Sequence, residues 1–146
     1  MEDFTKERLV QVHKRIQPYI HQTPVLTSRL INEIADCSIF FKCENFQKMG
    51  AFKMRGAINA ILQLSEKDKQ KGVVTHSSGN FAQALSLAAK SIGIPAYIVM
   101  PSNAPQVKKN AHQGHPILPA RQFVPGRLGR KLASRHSRNG KPLLMD

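Results

Sequence analysis

Residues 73–101 impose an order of elements that few folds accommodate. Val73-Val74-Thr75-His76 is a short, β-branched run and predicts a strand. Ser77-Ser78-Gly79-Asn80 then turns the chain, and Phe81 to Ile92 is an Ala/Leu-rich helical stretch stopped by Gly93. Pro95-Ala96-Tyr97-Ile98-Val99-Met100-Pro101 predicts a second strand with proline at both ends. Two strands joined through a helix run parallel and need a crossover, which a hairpin cannot supply. The sequence therefore predicts an α/β fold built on a parallel sheet.

The chain before this unit is consistent with that class. Thr5 is placed to cap a helix with Glu7 in its first turn and Leu9, Val12, Ile16 and Ile20 at helical spacing, ended by Pro18 and Thr23-Pro24. Residues 25–36 predict a short second helix from Leu26, Leu30, Ile31 and Ile34, and residues 38–43 a strand. From Phe52 to Leu64, Met54, Ala57, Ile58, Ile61 and Leu62 fall on one helical face. Residues 65–72 read as a charged, solvated connection, and a further helix is expected from Ala104 with Pro105 in its first turn.

Past Ala111 the pattern ends. Pro116, Pro119, Pro125 and Pro142, with Gly114, Gly126, Gly129 and Gly140, interrupt every candidate element. The next apolar strand of the sheet is expected here, and none is legible. Charge changes at the same place. Residues 1–111 hold 15 Lys/Arg against 8 Asp/Glu, whereas residues 112–146 hold 7 against 1. Two units are predicted, 1–111 as part of an α/β domain and 112–146 as a basic Pro/Gly-rich tail. The tail is expected to be disordered, or to derive from a reading-frame change.

Several function classes are set aside by the same reading. No apolar run approaches the roughly 18 residues of a membrane helix. Met1-Glu2-Asp3 is not a basic leader, so a soluble, cytoplasmic protein is expected. Cys37 and Cys43 are too few for a zinc site or a disulfide framework and are expected to be buried or half-buried thiols. His112 and His115 lack further ligands, and no metal site is expected. The tail arginines have Phe123 alone among them for stacking, so specific nucleic-acid binding is not expected.

Two stretches can carry chemistry. Ser77-Ser78-Gly79-Asn80 joins a strand to a helix start, where free N–H groups and the helix dipole attract anions. Spacing alone equally suits a plain capping turn, which is the commoner occurrence. Lys53 opens an apolar helix just after Phe52. A surface lysine is the ordinary reading; a desolvated one would supply the neutral amine that Schiff-base chemistry needs.

Five stretches decide between these readings by resemblance. They are His21-Gln22-Thr23-Pro24-Val25-Leu26-Thr27-Ser28, Phe40-Phe41-Lys42-Cys43-Glu44, Phe46-Gln47-Lys48-Met49-Gly50-Ala51-Phe52-Lys53-Met54-Arg55-Gly56-Ala57, Val73 through Asn80, and Gly93 through Pro101. In this order, over residues 15–111, they resemble the fold-type II pyridoxal-phosphate (PLP) enzymes, and within them the eukaryotic serine racemase/threonine dehydratase family. The resemblance implies part of a tryptophan-synthase-β-like three-layer αβα fold with parallel strands.

It also implies roles. Lys53 would carry PLP as a Schiff base and take the substrate Cα proton. Ser78 would return a proton on the opposite face, giving L-serine to D-serine, with β-elimination to pyruvate and ammonia as the competing outcome. Asn80 would bond the cofactor's ring hydroxyl, and Ser77, Ser78, Gly79 and Asn80 the substrate carboxylate. Ser28, Lys48 and Gln83 would contact a nucleotide effector. For full-length members the resemblance further implies a divalent cation, a homodimer, and serine or threonine as substrate. Ser78 stands where the dehydratases carry alanine, which favours racemase over L-threonine/L-serine dehydratase. Ala51 and Phe81 depart from the usual serine and histidine.

The family's chain is more than twice as long, so this polypeptide alone is expected to turn over little or no substrate, with Lys53 facing solvent. The competing readings are a basic, non-enzymatic binding module and a fragment that docks onto a full-length subunit.

Overall fold

The computed structural model describes residues 4–77, 79–101, 103, 105, 106, 110, 117–119, 143 and 144. Helix α1 (Lys6–Ile16) starts where Thr5 accepts a hydrogen bond from the Arg8 N–H at 3.2 Å. A single 3-10 turn, Gln17–Tyr19, follows, so Ile20 lies outside the helix. Residues 25–36 divide where one helix is expected. Val25–Leu26 is strand β1, and α2 (Arg29–Ala35) begins only after Ser28 caps it. The strand expected at 38–43 narrows to β2 (Phe41–Lys42), which pairs antiparallel with β1.

Two more 3-10 turns, Glu44–Phe46 and Lys48–Gly50, lead into α3 (Lys53–Leu62). Its Met54, Ala57, Ile58 and Ile61 are buried, the apolar face expected from their spacing. Residues 65–72 are not an open connection. They form α4 (Glu66–Lys71), capped by Ser65 and laced by the pairs Lys69–Glu66 at 2.7 Å and Lys71–Asp68 at 2.6 Å. A helix this polar has no apolar period to betray it; its cap and ion pairs hold it instead.

The central unit is β3 (Val73–His76), α5 (Asn80–Ile92) and β4 (Ala96–Met100). The strands are parallel, with Val73 opposite Ala96 and His76 opposite Val99. Helix α5 ends on Gly93 in the left-handed conformation. On one face of the sheet Val73, Ala96, Ile98 and Met100 join α3 and α5 in the core. Val74, Tyr97 and Val99 on the other face are buried too, as a covered parallel sheet requires. Ala82, Ala84, Ala88 and Ala89 keep the surface of α5 low, and α3 packs on it closely.

Two further strands lie in the stretch where none is legible. Here β5 (Ile117–Pro119) pairs parallel with β4, and β6 (Leu143–Leu144) with β3, giving the order β5-β4-β3-β6. Each is two or three residues long and flanked by proline, too short to show a period. The remainder of residues 112–146 lies outside the described residues, including His112, His115 and the tail arginines. Of the helix expected from Ala104, Gln106 and Asn110 are helical and joined by a side-chain bond of 2.8 Å. No described helix is long and apolar enough to cross a membrane.

Candidate active site

The start of α3 lies near the start of α5, the helix that follows β3. Lys53 is the first residue of α3, and its side chain is exposed. Its Nζ lies 5.2 Å from the ring centre of Phe52 and 5.9 Å from that of Phe81. Phe81 directly follows Asn80, the first residue of α5. The Lys53 amine is thereby held beside the N-terminus of α5. Phe81, half-buried, brings the two elements together; as a departure from the usual histidine it carried no role in the sequence reading.

At that N-terminus the cap position is Gly79, which has no side chain to satisfy the first N–H groups, and the first turn holds no acid. Ser77 Oγ accepts a bond from the Gly79 N–H at 3.3 Å. A Cβ placed at Gly79 would meet nothing within 4 Å, so the space above the turn is open. A capping turn normally closes its helix with a side chain. Among the described residues no side chain caps this helix start and room is left above it, properties that suit an anion site. Ser78 lies outside the described residues.

The segments leading to Lys53 are stitched by side chains. Gln47, buried, accepts from the His21 N–H at 2.8 Å and donates to the His21 carbonyl at 2.9 Å. Arg55 meets Glu44 through two bonds, Nε to Oε2 at 2.8 Å and Nη2 to Oε1 at 2.7 Å. The Thr23 hydroxyl donates to Glu44 Oε1 at 2.6 Å. The Arg55 guanidinium holds the Glu44 carboxyl down to about 2, with the Thr23 hydroxyl adding to this and burial opposing it. All four side chains stood in the quoted stretches, yet nothing in their spacing shows that they converge.

The remaining assignments separate. Lys48 begins a turn that packs on α5, the helix carrying Gln83. Ser28 sits on another element, its hydroxyl accepting the Ile31 N–H at 3.4 Å as a helix cap. His76 ends β3 exposed, and Cys37 is exposed where a buried or half-buried thiol is expected; Cys43 is half-buried. Among the described residues no three His, Cys, Asp or Glu side chains gather.

A family profile described as pyridoxal-phosphate dependent enzyme matches residues 16–115, more than half of the chain. The chain belongs to this family. Serine racemase of Dictyostelium discoideum is 55% identical over 115 residues, covering 79% of this chain and 36% of the relative. The beta-hydroxyaspartate dehydratase of Paracoccus denitrificans is 53% identical over 106 residues, 73% of this chain and 34% of the relative. The crystal structure of the Dictyostelium serine racemase superposes with a TM-score of 0.81 at 46% identity, over 95% of this chain and 45% of that one. The chain thus spans about a third of the length of these curated relatives. The parallel α/β arrangement is that of the fold-type II PLP enzymes.

The residues of the site fit the cofactor. An accessible primary amine faces a helix start with an amide side chain, Asn80, and an open glycine turn. A carbonyl carbon requires the first; a ring hydroxyl and an anionic group suit the others.

Proposed function

We propose that this chain carries the lysine-bearing part of a PLP-dependent active site for serine or threonine. In this reading the site racemises serine and eliminates from Cβ as a side reaction. When bound, pyridoxal phosphate supplies an electron-withdrawing ring that drains charge from the substrate Cα. Lys53 Nζ would hold the cofactor and would also take the substrate Cα proton. The Ser77–Asn80 turn binds the substrate carboxylate through backbone N–H groups, and the Asn80 amide orients the ring. Ser78 Oγ returns a proton from the other face; alanine there would leave elimination as the main outcome.

The observation that supports this reading most is the Lys53 amine beside Phe81, one residue past that turn. Exposure of Lys53 works against turnover by this chain alone, because water has free access to its amine. The decisive test is therefore trapping. The chain is incubated with PLP, reduced with borohydride, and the modified lysine found by peptide mapping. Label concentrated on Lys53 and lost in Lys53→Ala is expected; label spread evenly over the exposed lysines sinks the proposal. L-serine added to a separate, unreduced sample loaded with PLP separates the reactions through the ratio of the small amounts of product formed. Ser78→Ala is expected to lower the ratio of D-serine to pyruvate by about tenfold or more, general acid–base groups contributing on the order of 100-fold.

A further inference from the structure

The first turn of α3 sends three consecutive side chains in three directions. Lys53 is exposed and lies toward Phe81, while Met54 is fully buried in the core. Arg55, two residues past Lys53 and so about 200° round the helix, joins Glu44 and Thr23. Among the described residues the helix start has no other side-chain anchor; farther along α3, Asn59 Oδ1 accepts from Arg15 Nη1 at 2.9 Å at an exposed position. Phe52 at the cap position makes no side-chain hydrogen bond, and the first turn holds no acid.

Apolar packing through Met54, Ala57, Ile58 and Ile61 presses α3 onto the core, but such contact is non-directional. It resists separation more than roll about the helix axis. A roll of about 10° displaces an atom carried about 6 Å from the axis by about 1 Å. Misplacement of that size can cost on the order of 100-fold in a positioned reaction.

The Arg55–Glu44 fork is directional. Thr23, 4% exposed, closes it. Its hydroxyl donates to Glu44 at 2.6 Å and accepts from Arg55 Nη2 at 3.3 Å, while its carbonyl accepts from Lys42 Nζ at 2.7 Å. Glu44 and Thr23 come from two separate segments, so the fork ties the helix to both.

We infer that Thr23, Glu44 and Arg55 form a clamp that sets the rotation of α3 and so aims the Lys53 amine at the N-terminus of α5. They are positioning residues; none of them touches Lys53 in the contacts described above. The inference rests on Lys53 being the cofactor lysine.

The test uses the full 146-residue chain. PLP is trapped by borohydride and the label on Lys53 is divided by that on Lys90, an exposed lysine near the far end of α5. The same ratio in denatured chain gives the reference for an unaimed lysine. Glu44→Gln and Thr23→Val are expected to lower the native ratio at least about threefold, by misplacement, in protein shown to be folded by circular dichroism at the labelling temperature. Thr23→Ser, which keeps the hydroxyl, is expected to hold the wild-type ratio. Should Glu44→Gln not fold, Arg55→Lys makes the same comparison, keeping the charge and losing the fork.

A purely structural role would lower the melting temperature without moving the ratio in folded protein. Unchanged ratios in folded Glu44→Gln and Thr23→Val overturn the clamp. A wild-type ratio equal to the denatured reference overturns instead the reading of Lys53 on which the clamp rests.

Discussion

At Lys53 the ammonium faces two phenyl rings, Phe52 at 5.2 Å and Phe81 at 5.9 Å. Each such contact contributes about 0.5–1 kcal/mol at an exposed site, enough to bias a flexible side chain toward α5 but not to bury it. Glu44 is the contrasting residue. Its bond to Arg55 is the largest cause holding its carboxyl at about 2 instead of the ordinary 4.5. The folded value is the lower one, so the unfolded chain takes up the proton first as pH falls. The stabilisation is complete above about pH 4.5 and drains away toward pH 2. Thermal melts across this window should show a drop in Tm that Glu44→Gln flattens, with a lower Tm for the variant near neutrality. An equal drop in both proteins would mean that other carboxylates govern acid unfolding.

Between elements, Gly72 joins α4 to β3 and decides how closely they follow one another. Its φ of 82° and ψ of −178° lie in a region open in practice to glycine alone. A Cβ there would sit 2.6 Å from the Pro95 carbonyl oxygen, the acceptor of the Val73 N–H that aligns β3 with the entry to β4. Gly72→Ala therefore adds strain of about 1–3 kcal/mol to a backbone clash. Urea unfolding should show a loss of at least that size with an unchanged slope; a loss under about 0.5 kcal/mol, the usual surface value, would contradict the geometry. How much of the fold could be read in advance follows the same logic of what each element depends on. The α3 face, the β3–α5–β4 unit and the Gly93 stop depend on local period and turn chemistry, and all were legible. Strands β5 and β6 depend on partners already in place, and α4 on ion pairs, so no period announced them. Of the candidate site, Lys53 and the 77–80 turn were named in advance, the turn by its place between strand and helix and both by resemblance. The Thr23–Glu44–Arg55 junction was not, because it joins three segments that only the folded chain brings together.

Over the whole molecule, burial is uneven. Strands β3 and β4 and the helices α3 and α5 bury large side chains completely, whereas residues 25–46 bury none. Val25, Leu26, Leu30, Ile34, Phe40 and Phe46 are each more than half exposed, and α2 buries no residue. Apolar surface on this scale is a liability for self-association. Against it stands a formal charge of +13, which repels like copies. The two terms respond differently to salt. Screening length falls from about 30 Å at 0.01 M to about 3 Å at 1 M, so repulsion fades while apolar attraction persists. The chain should sediment as a monomer in dilute buffer and shift to larger species as salt is raised. Ile34→Lys combined with Phe40→Lys removes two of the most exposed apolar side chains and should suppress that shift. Because neither site is buried, stability should change by no more than about 0.5 kcal/mol. A salt-independent mass for the wild type would show that the exposed face is not adhesive. The same salt-driven shift in the double variant would place the adhesion elsewhere on the chain.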